Sequence, residues 1–358
     1  MAAASGRRVL VITIDPARRL ATSLGLKESG NDIVEVQGAV PAGCTGSLHA
    51  LMLDARTTFD ELIMRISPDR QVHQRILSNR IYRLLSESIA GSHNVMATEK
   101  LYEIMQSAEW DLVVLDTPPT SNALDFLESS GYLARFLDDK VMGWFLGDRR
   151  GKKSLRTRLL APAQNVAIRL LAAIFGRRFL DDLLDFFEAF GGLYQGFRER
   201  SEAIRAILKS SNTTFAVVCM PRALSLRETR RLADQLIDQG HPVGAWFINQ
   251  CSPYPGRVPG ADGNLLAAGD QRRIRELLRL SGYGDQQDAV VEALEAAYRR
   301  SAAQSDRDAA LLQSDGPDPK RVLVHTLPLL DTEVVELDSL KRFAELFRTE
   351  LAASEDTG

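Results

Sequence analysis

The run "VLVITI", Val9–Ile14, stops abruptly at Asp15-Pro16. So short an apolar, β-branched segment has the length of a strand. Its lack of polar alternation marks a strand covered on both faces, as at the centre of a parallel sheet. The same design recurs along the chain: "DLVVLDTPPT" (Asp111–Thr120), "TTFAVVCM" (Thr213–Met220), "PVGAWFINQ" (Pro242–Gln250) and "RVLVHTLP" (Arg321–Pro328). "DIVEVQ" (Asp32–Gln37) alternates, and "LHALMLD" ends at Asp54. Helical patterns lie between most of these runs. Strand–helix alternation of this kind predicts an α/β chain with a doubly wound, mostly parallel sheet. The helix after the Thr213 strand carries its own start and stop. Ser225 and Glu228 have capping-box spacing, and Gly240 ends the apolar periodicity.

Two stretches break the alternation, residues 55–108, which read as helical throughout, and 121–211, which carry stripes at helical spacing. Together they predict a helical subdomain inserted into a single α/β domain spanning 1–358. Leu133, Phe136, Leu137, Val141, Trp144 and Phe145 follow helical spacing, as do Phe179, Leu180, Leu183, Leu184, Phe187 and Phe190. Such stripes pack against one another as core, or line a groove for an apolar client. A further insertion, 252–318, opens as a loop, turns helical around Arg272–Gln304 and closes on the loop "QSDGPDPK".

Bulk composition excludes several classes. A net charge of −3 gives no electrostatic drive toward nucleic acid. Three scattered cysteines, Cys44, Cys219 and Cys251, make no disulfide framework and fit a reducing cytoplasm. No apolar stretch approaches the ~20 residues of a membrane span, and no signal peptide precedes the first strand.

In open parallel sheets ligands bind at the carboxyl ends of the strands. Three of these ends suit a Mg-nucleotide. Asp15 ends the first strand. Asp116 ends "WDLVVLD" as a Walker B acid does, where a carboxylate serves Mg²⁺ through its water shell. Asn249 ends "WFIN" and offers an acceptor and two donors in one plane, matching a purine edge. Any one of these alone is equally well a solvated residue or a helix cap. Thr117-Pro118-Pro119-Thr120 adds a stiff loop with hydroxyls behind Asp116.

Taken together, these stretches resemble the ArsA/guided-entry family of P-loop ATPases, and most closely its bacterial ArsA-like branch. "TIDPARRL" is similar to the family's switch I and "DTPPTSNAL" to its switch II. "CMPRALSLRETRRL" resembles the strand and helix before the adenine strand. "FINQ" resembles the adenine-contact motif, and "LPLLDTEVVELDSL" the loop that closes over the base. The resemblance covers nearly the whole chain. It implies ATP and Mg²⁺ as cofactors, with Asp15 positioning the attacking water, Asp116 serving Mg²⁺ and Thr117–Thr120 sensing the γ-phosphate. It implies Asn249 and Gln250 at the base, covered by Pro328 and Leu329. It also implies a dimer, with itself or with a paralogue, whose ATP-driven closure reshapes the helical subdomains and acts on a client. The resemblance leaves that client open among an anion, an apolar protein segment and other partners.

The family's deviant Walker A loop, KGGxGK[ST], does not occur in the sequence. "GDRRGKKS" (Gly147–Ser154) has one residue too few between its glycines and follows a helical pattern, so it reads as a solvated basic loop. Met1–Gly6 resembles the tail of the helix that follows the loop in relatives. The expectation is therefore a gene model that begins inside the domain. The alternative is a catalytically inactive partner of a P-loop-bearing paralogue. Arg222 stands where relatives often carry an acid, and Cys251 lacks the CxxC partner of a zinc site. Arsenite capture by the three thiols is a minor alternative to three structural cysteines.

Overall fold

In the computed structural model, residues 1–14, 19–25, 31–67, 69–83, 92–117, 127, 176–191, 193–252, 268–330 and 333–355 are described. Contacts divide the chain into two units, Met1–Ser210 with Val334–Glu350, and Ser211–Glu333 with Leu351–Gly358.

The first unit is built on a four-stranded sheet of order β2-β3-β1-β4. Its strands are β1 (Arg8–Thr13), β2 (Val34–Glu35), β3 (Ser47–Met52) and β4 (Leu112–Asp116). β1 is parallel to both neighbours, with Thr13 in register with Met52 on one side and Asp116 on the other. Leu10 and Ile12 are wholly buried, as the unbroken apolar run predicts. β2 is antiparallel to β3 and shorter than the alternating Asp32–Gln37 segment.

The short helix α1 (Arg19–Ser23) follows β1. A helical layer, α2 (Ala55–Ile66), α3 (Arg70–Ser78) and α4 (Ser92–Ser107), lies between β3 and β4, and α5 (Arg177–Gly191) and α6 (Tyr194–Leu208) follow β4. The 55–108 stretch is thus helical in separate pieces and not throughout. Asp54 caps α2 by accepting the Thr57 amide (2.6 Å), and Asp69 caps α3 by accepting that of Gln71 (2.9 Å). These caps interrupt what periodicity alone reads as continuous helix. Leu62, Ile63, Ile76 and Met96 pack with Phe186, Ala189, Leu193 and Phe197 in one apolar cluster, against which Phe179 and Leu183 also lie. Leu180 and Leu184 are buried too. The described part of the α5 stripe is therefore core. The stripe from Leu133 to Phe145 lies outside the described residues.

The amino-terminal turn packs against the start of β3 without room for a side chain. A Cβ on Gly46 would meet Ala3 O at 2.1 Å, Arg7 O at 2.7 Å and Arg7 N at 2.8 Å, all backbone atoms that cannot swing aside. Gly46→Ala is expected to cost about 1–3 kcal/mol of stability, read as a lower denaturant midpoint at unchanged slope.

The second unit holds a parallel sheet of order β5-β6-β7, formed by β5 (Phe215–Cys219), β6 (Val243–Cys251) and β7 (Leu323–Pro328). Its helices are α7 (Ala223–Asp238), α8 (Ala268–Leu280) and α9 (Gln287–Asp315). α7 starts two residues before the expected cap. Its N-cap is Arg222, and the Ser225 hydroxyl accepts the Met220 amide (3.1 Å) instead of capping the helix. Gly240, at φ 80°, ends it as expected. α9 runs through Gln313–Asp315, which the sequence reads as loop, and stops where the Gly316 amide bonds Leu312 O (2.9 Å). The last helix, α10 (Leu337–Glu355), returns to the first unit, where Leu337 and Leu340 pack against Leu24, Val36 and Ala50.

Candidate functional site

Parallel pairing brings the carboxyl ends of β1, β3 and β4 to one edge. There the Thr13 hydroxyl, buried, donates to Asp116 Oδ2 (3.2 Å), and the Ile14 amide donates to Asp116 O (3.3 Å). The Leu53 amide donates to Thr13 O (3.1 Å) and so binds the β3 end to the same edge. Asp116, half-buried, is thus fixed by the strand that leads into Asp15 two residues beyond Thr13. A carboxylate at a strand end fits outer-sphere service to Mg²⁺, which keeps several of its waters. Among the described residues no group of three or more His, Cys, Asp or Glu side chains converges. Thr117 follows β4 and is exposed. Asp15, Pro118, Pro119 and Thr120 lie outside the described residues.

Asp54, at the end of β3, was not among the sequence's candidates. Partial burial raises its carboxyl pKa, but the amide and side chain of Thr57 outweigh that effect and hold it below the usual value. Asn31 was also missed. Its Oδ1 accepts the Asp54 amide (2.9 Å), and its Nδ2 donates to Thr58 Oγ1 (2.8 Å). Both contacts join positions far apart in the chain, and no local pattern announces them.

The second unit presents an edge of its own. Cys251 of β6 pairs with Pro328 of β7, and the Leu329 amide donates to Cys251 O (2.7 Å). Asn249 and Gln250, the two residues before the Cys251 end of β6, therefore lie near Pro328 and Leu329, so four predicted base-contact residues share one edge. Gln250 has φ 61°, a left-handed conformation uncommon for a residue with a side chain. Its amide donates to Asn249 Oδ1 (2.9 Å). An N–H can only donate, so this bond identifies the Asn249 oxygen and leaves the NH₂ as the group available to a ligand. Behind the strand end, buried Asp308 of α9 accepts the Ser252 amide (3.0 Å) and the Gln304 carboxamide (2.8 Å). Asp308 positions the chain leaving β6, another role invisible in sequence.

Cys44 is exposed, Cys219 buried and Cys251 half-buried, all as free thiols. Burial pushes the Cys219 thiol up to about 11, slightly countered by Thr229.

A family model described as anion-transporting ATPase matches residues 1–257. The chain is 26% identical over 248 residues to the ATPase get3 of Aspergillus terreus, covering 68% of this chain and 64% of that protein. It is 26% identical over 249 residues to the ATPase GET3 of Malassezia globosa, covering 69% and 65%. To the ATPase GET3 of Ajellomyces dermatitidis it is 24% identical over 272 residues, covering 75% and 70%. The chain spans just under two thirds of the length of the first two relatives. Among the described residues no helix is long and apolar enough to cross a membrane.

Proposed function

Because the chain belongs to the anion-transporting ATPase family, we propose that it binds ATP with Mg²⁺ and hydrolyses it at the carboxyl edges of its parallel strands. The observation that carries this reading is the Thr13–Asp116 hydrogen bond at the shared edge of β1 and β4. It ties the metal-serving acid to β1, whose sequence continues to Asp15 two residues on. Mg²⁺, when bound, supplies charge neutralisation of the phosphates. Asp15 orients the attacking water and accepts its proton. Asp116, held by Thr13, would hold Mg²⁺ through its water shell. Thr117, Pro118, Pro119 and Thr120 form the loop that responds to the γ-phosphate. Asn249 donates from its NH₂ to a purine nitrogen, and Gln250, Pro328 and Leu329 bound the base.

Binding and hydrolysis drive a dimer cycle, homodimeric or with a paralogue, that acts on a client. The aromatic residues between Phe126 and Phe190 fit an apolar client, with an anion and other partners as the alternatives. The protein works in the cytoplasm, where three scattered thiols stay reduced.

A second reading is an inactive partner of a P-loop-bearing paralogue. Phosphate release by the purified product of the native gene separates the two. Mg²⁺-dependent turnover by this polypeptide alone supports the first. No turnover alone, with faster turnover of an added paralogue, supports the second. Neither behaviour would overturn both. Under the first, Asn249→Ala raises KM for ATP about tenfold, the worth of one lost hydrogen bond, and leaves kcat within about twofold.

A further inference from the structure

The second unit carries a cleft that plays no part in the proposed nucleotide chemistry. It encloses about 770 Å³ between α7, the β6–β7 pair and the end of α9, within the ~300–1,000 Å³ usual for a small-molecule site. The sheet side is apolar. Trp246, only 4% exposed, pairs across the strands with Val324, and Ile248 follows on the same face of β6. Ile237 lines the cleft from α7 and is still 55% exposed, so apolar surface reaches its mouth. Leu312 lines it from α9. Of the described residues assigned to the nucleotide, none lines it.

The chain that leaves α9 along this cleft is firmly held. Arg230 of α7 donates to Asp315 O (2.6 Å) and to Gly316 O. A Cβ on Gly316 would meet Leu312 O at 2.1 Å, so the chain runs tight against the last turn of α9. Asp318 then closes a turn, its Oδ1 accepting the Lys320 amide (3.0 Å) and its carbonyl the Arg321 amide (3.0 Å). Pro317 and Pro319 fix φ and bring no N–H to the lining. A wall braced in this way is formed before a ligand arrives, so binding costs little ordering.

Charge narrows the ligand class. The charged residues of the lining are Arg230, Asp234, Asp318 and Arg321, and they sum to zero. Arg321 pairs with Asp318 at 3.6 Å, and Arg230 is engaged by two carbonyls. No net charge selects an anion or a cation, while Trp246, Ile248, Val324 and Ile237 offer apolar area. We propose that this cleft is a binding site for an uncharged small molecule with a flat apolar body, seated against Trp246. The site does not rest on the ATPase reading.

The test uses three indole derivatives of similar size, tryptophol (uncharged), indoleacetate (anionic) and tryptamine (cationic). The native gene product is isotope-labelled at its three tryptophans, and the Trp246 indole signal in the NMR spectrum is identified by its loss in Trp246→Phe. Tryptophol is expected to displace that signal saturably, with Kd of about 1 mM or tighter. Indoleacetate and tryptamine bind at least about tenfold more weakly, because each carries a charge into an apolar cleft. Ile237→Asp weakens tryptophol at least about tenfold for the same reason. Ile237→Ser replaces it if the aspartate variant shows no cooperative melt. The proposal is overturned by no saturable displacement, by equal displacement of all three indole signals, by tighter binding of either charged derivative, or by unchanged tryptophol affinity in the folded Ile237 variant.

Discussion

Asp15→Asn is expected to lower ATP turnover by about 10²–10⁴-fold, the usual worth of a positioned general base. Asparagine keeps the size and planarity of the side chain but cannot accept the proton of the attacking water. Binding of ATP should change little, because the residues assigned to the base and to Mg²⁺ lie elsewhere, at Asn249, Gln250, Pro328, Leu329 and Asp116. The check is a pair of measurements on one preparation, steady-state phosphate release and equilibrium nucleotide binding. A kcat within a few-fold of wild type would remove Asp15 from the chemistry.

Arg200→Met is expected to destabilise the first unit by about 3–5 kcal/mol, the penalty for leaving one member of a buried ion pair alone. Glu99 is 5% exposed and bonds Arg200 at 2.7 Å, and Arg200 is itself 14% exposed. The guanidinium also lies over the Tyr102 ring, 4.6 Å from its centroid. Burial pushes the Glu99 carboxyl above its usual pKa, partly countered by the charge and hydrogen bond of Arg200. The pH dependence follows from that direction. A carboxyl whose folded pKa exceeds its unfolded value, about 4.3, contributes stability that is fully present below the unfolded value. That contribution is lost as pH rises through the folded value. Without Arg200 the folded pKa climbs further. The destabilisation by Arg200→Met should therefore be largest near neutrality and shrink toward pH 4, where Glu99 is protonated. Denaturant melts across that range check it, and a pH-independent loss would assign the effect to packing alone.

Much of the fold was legible because the strands are short and locally encoded. The unbroken apolar run of Val9–Ile14 requires cover on both faces, and β1 sits between β3 and β4 with Leu10 and Ile12 fully buried. Each of the other apolar runs quoted from the sequence contains a strand. Helix starts were less legible. Ser225 and Glu228 copy a capping box, yet the Met220 amide takes the Ser225 hydroxyl and the helix begins at Ala223. A backbone donor left by the end of β5 outcompetes the local pattern.

At the site, strand-end residues stand out in sequence because polarity changes abruptly there, as at Asp116, Asn249 and Pro328. What holds those ends does not stand out. Thr13 hides inside an apolar run, and its bond to Asp116 spans 103 residues. Asn31 joins Asp54 across 23 residues, and Asp308 holds Ser252 across 56. Only the folded chain brings these partners together, since side-chain hydrogen bonds between distant elements carry no periodic signature.

The proposal that this chain binds Mg-ATP is met most directly by titrating ATP into the native gene product, with Mg²⁺ and with a chelator, alongside Asp116→Asn and Asn249→Ala. Saturable binding is expected with Mg²⁺, at least about tenfold weaker under chelation and in each variant, with Asp116→Asn also insensitive to the metal. Absence of binding, or binding indifferent to Mg²⁺ and to both substitutions, would contradict it.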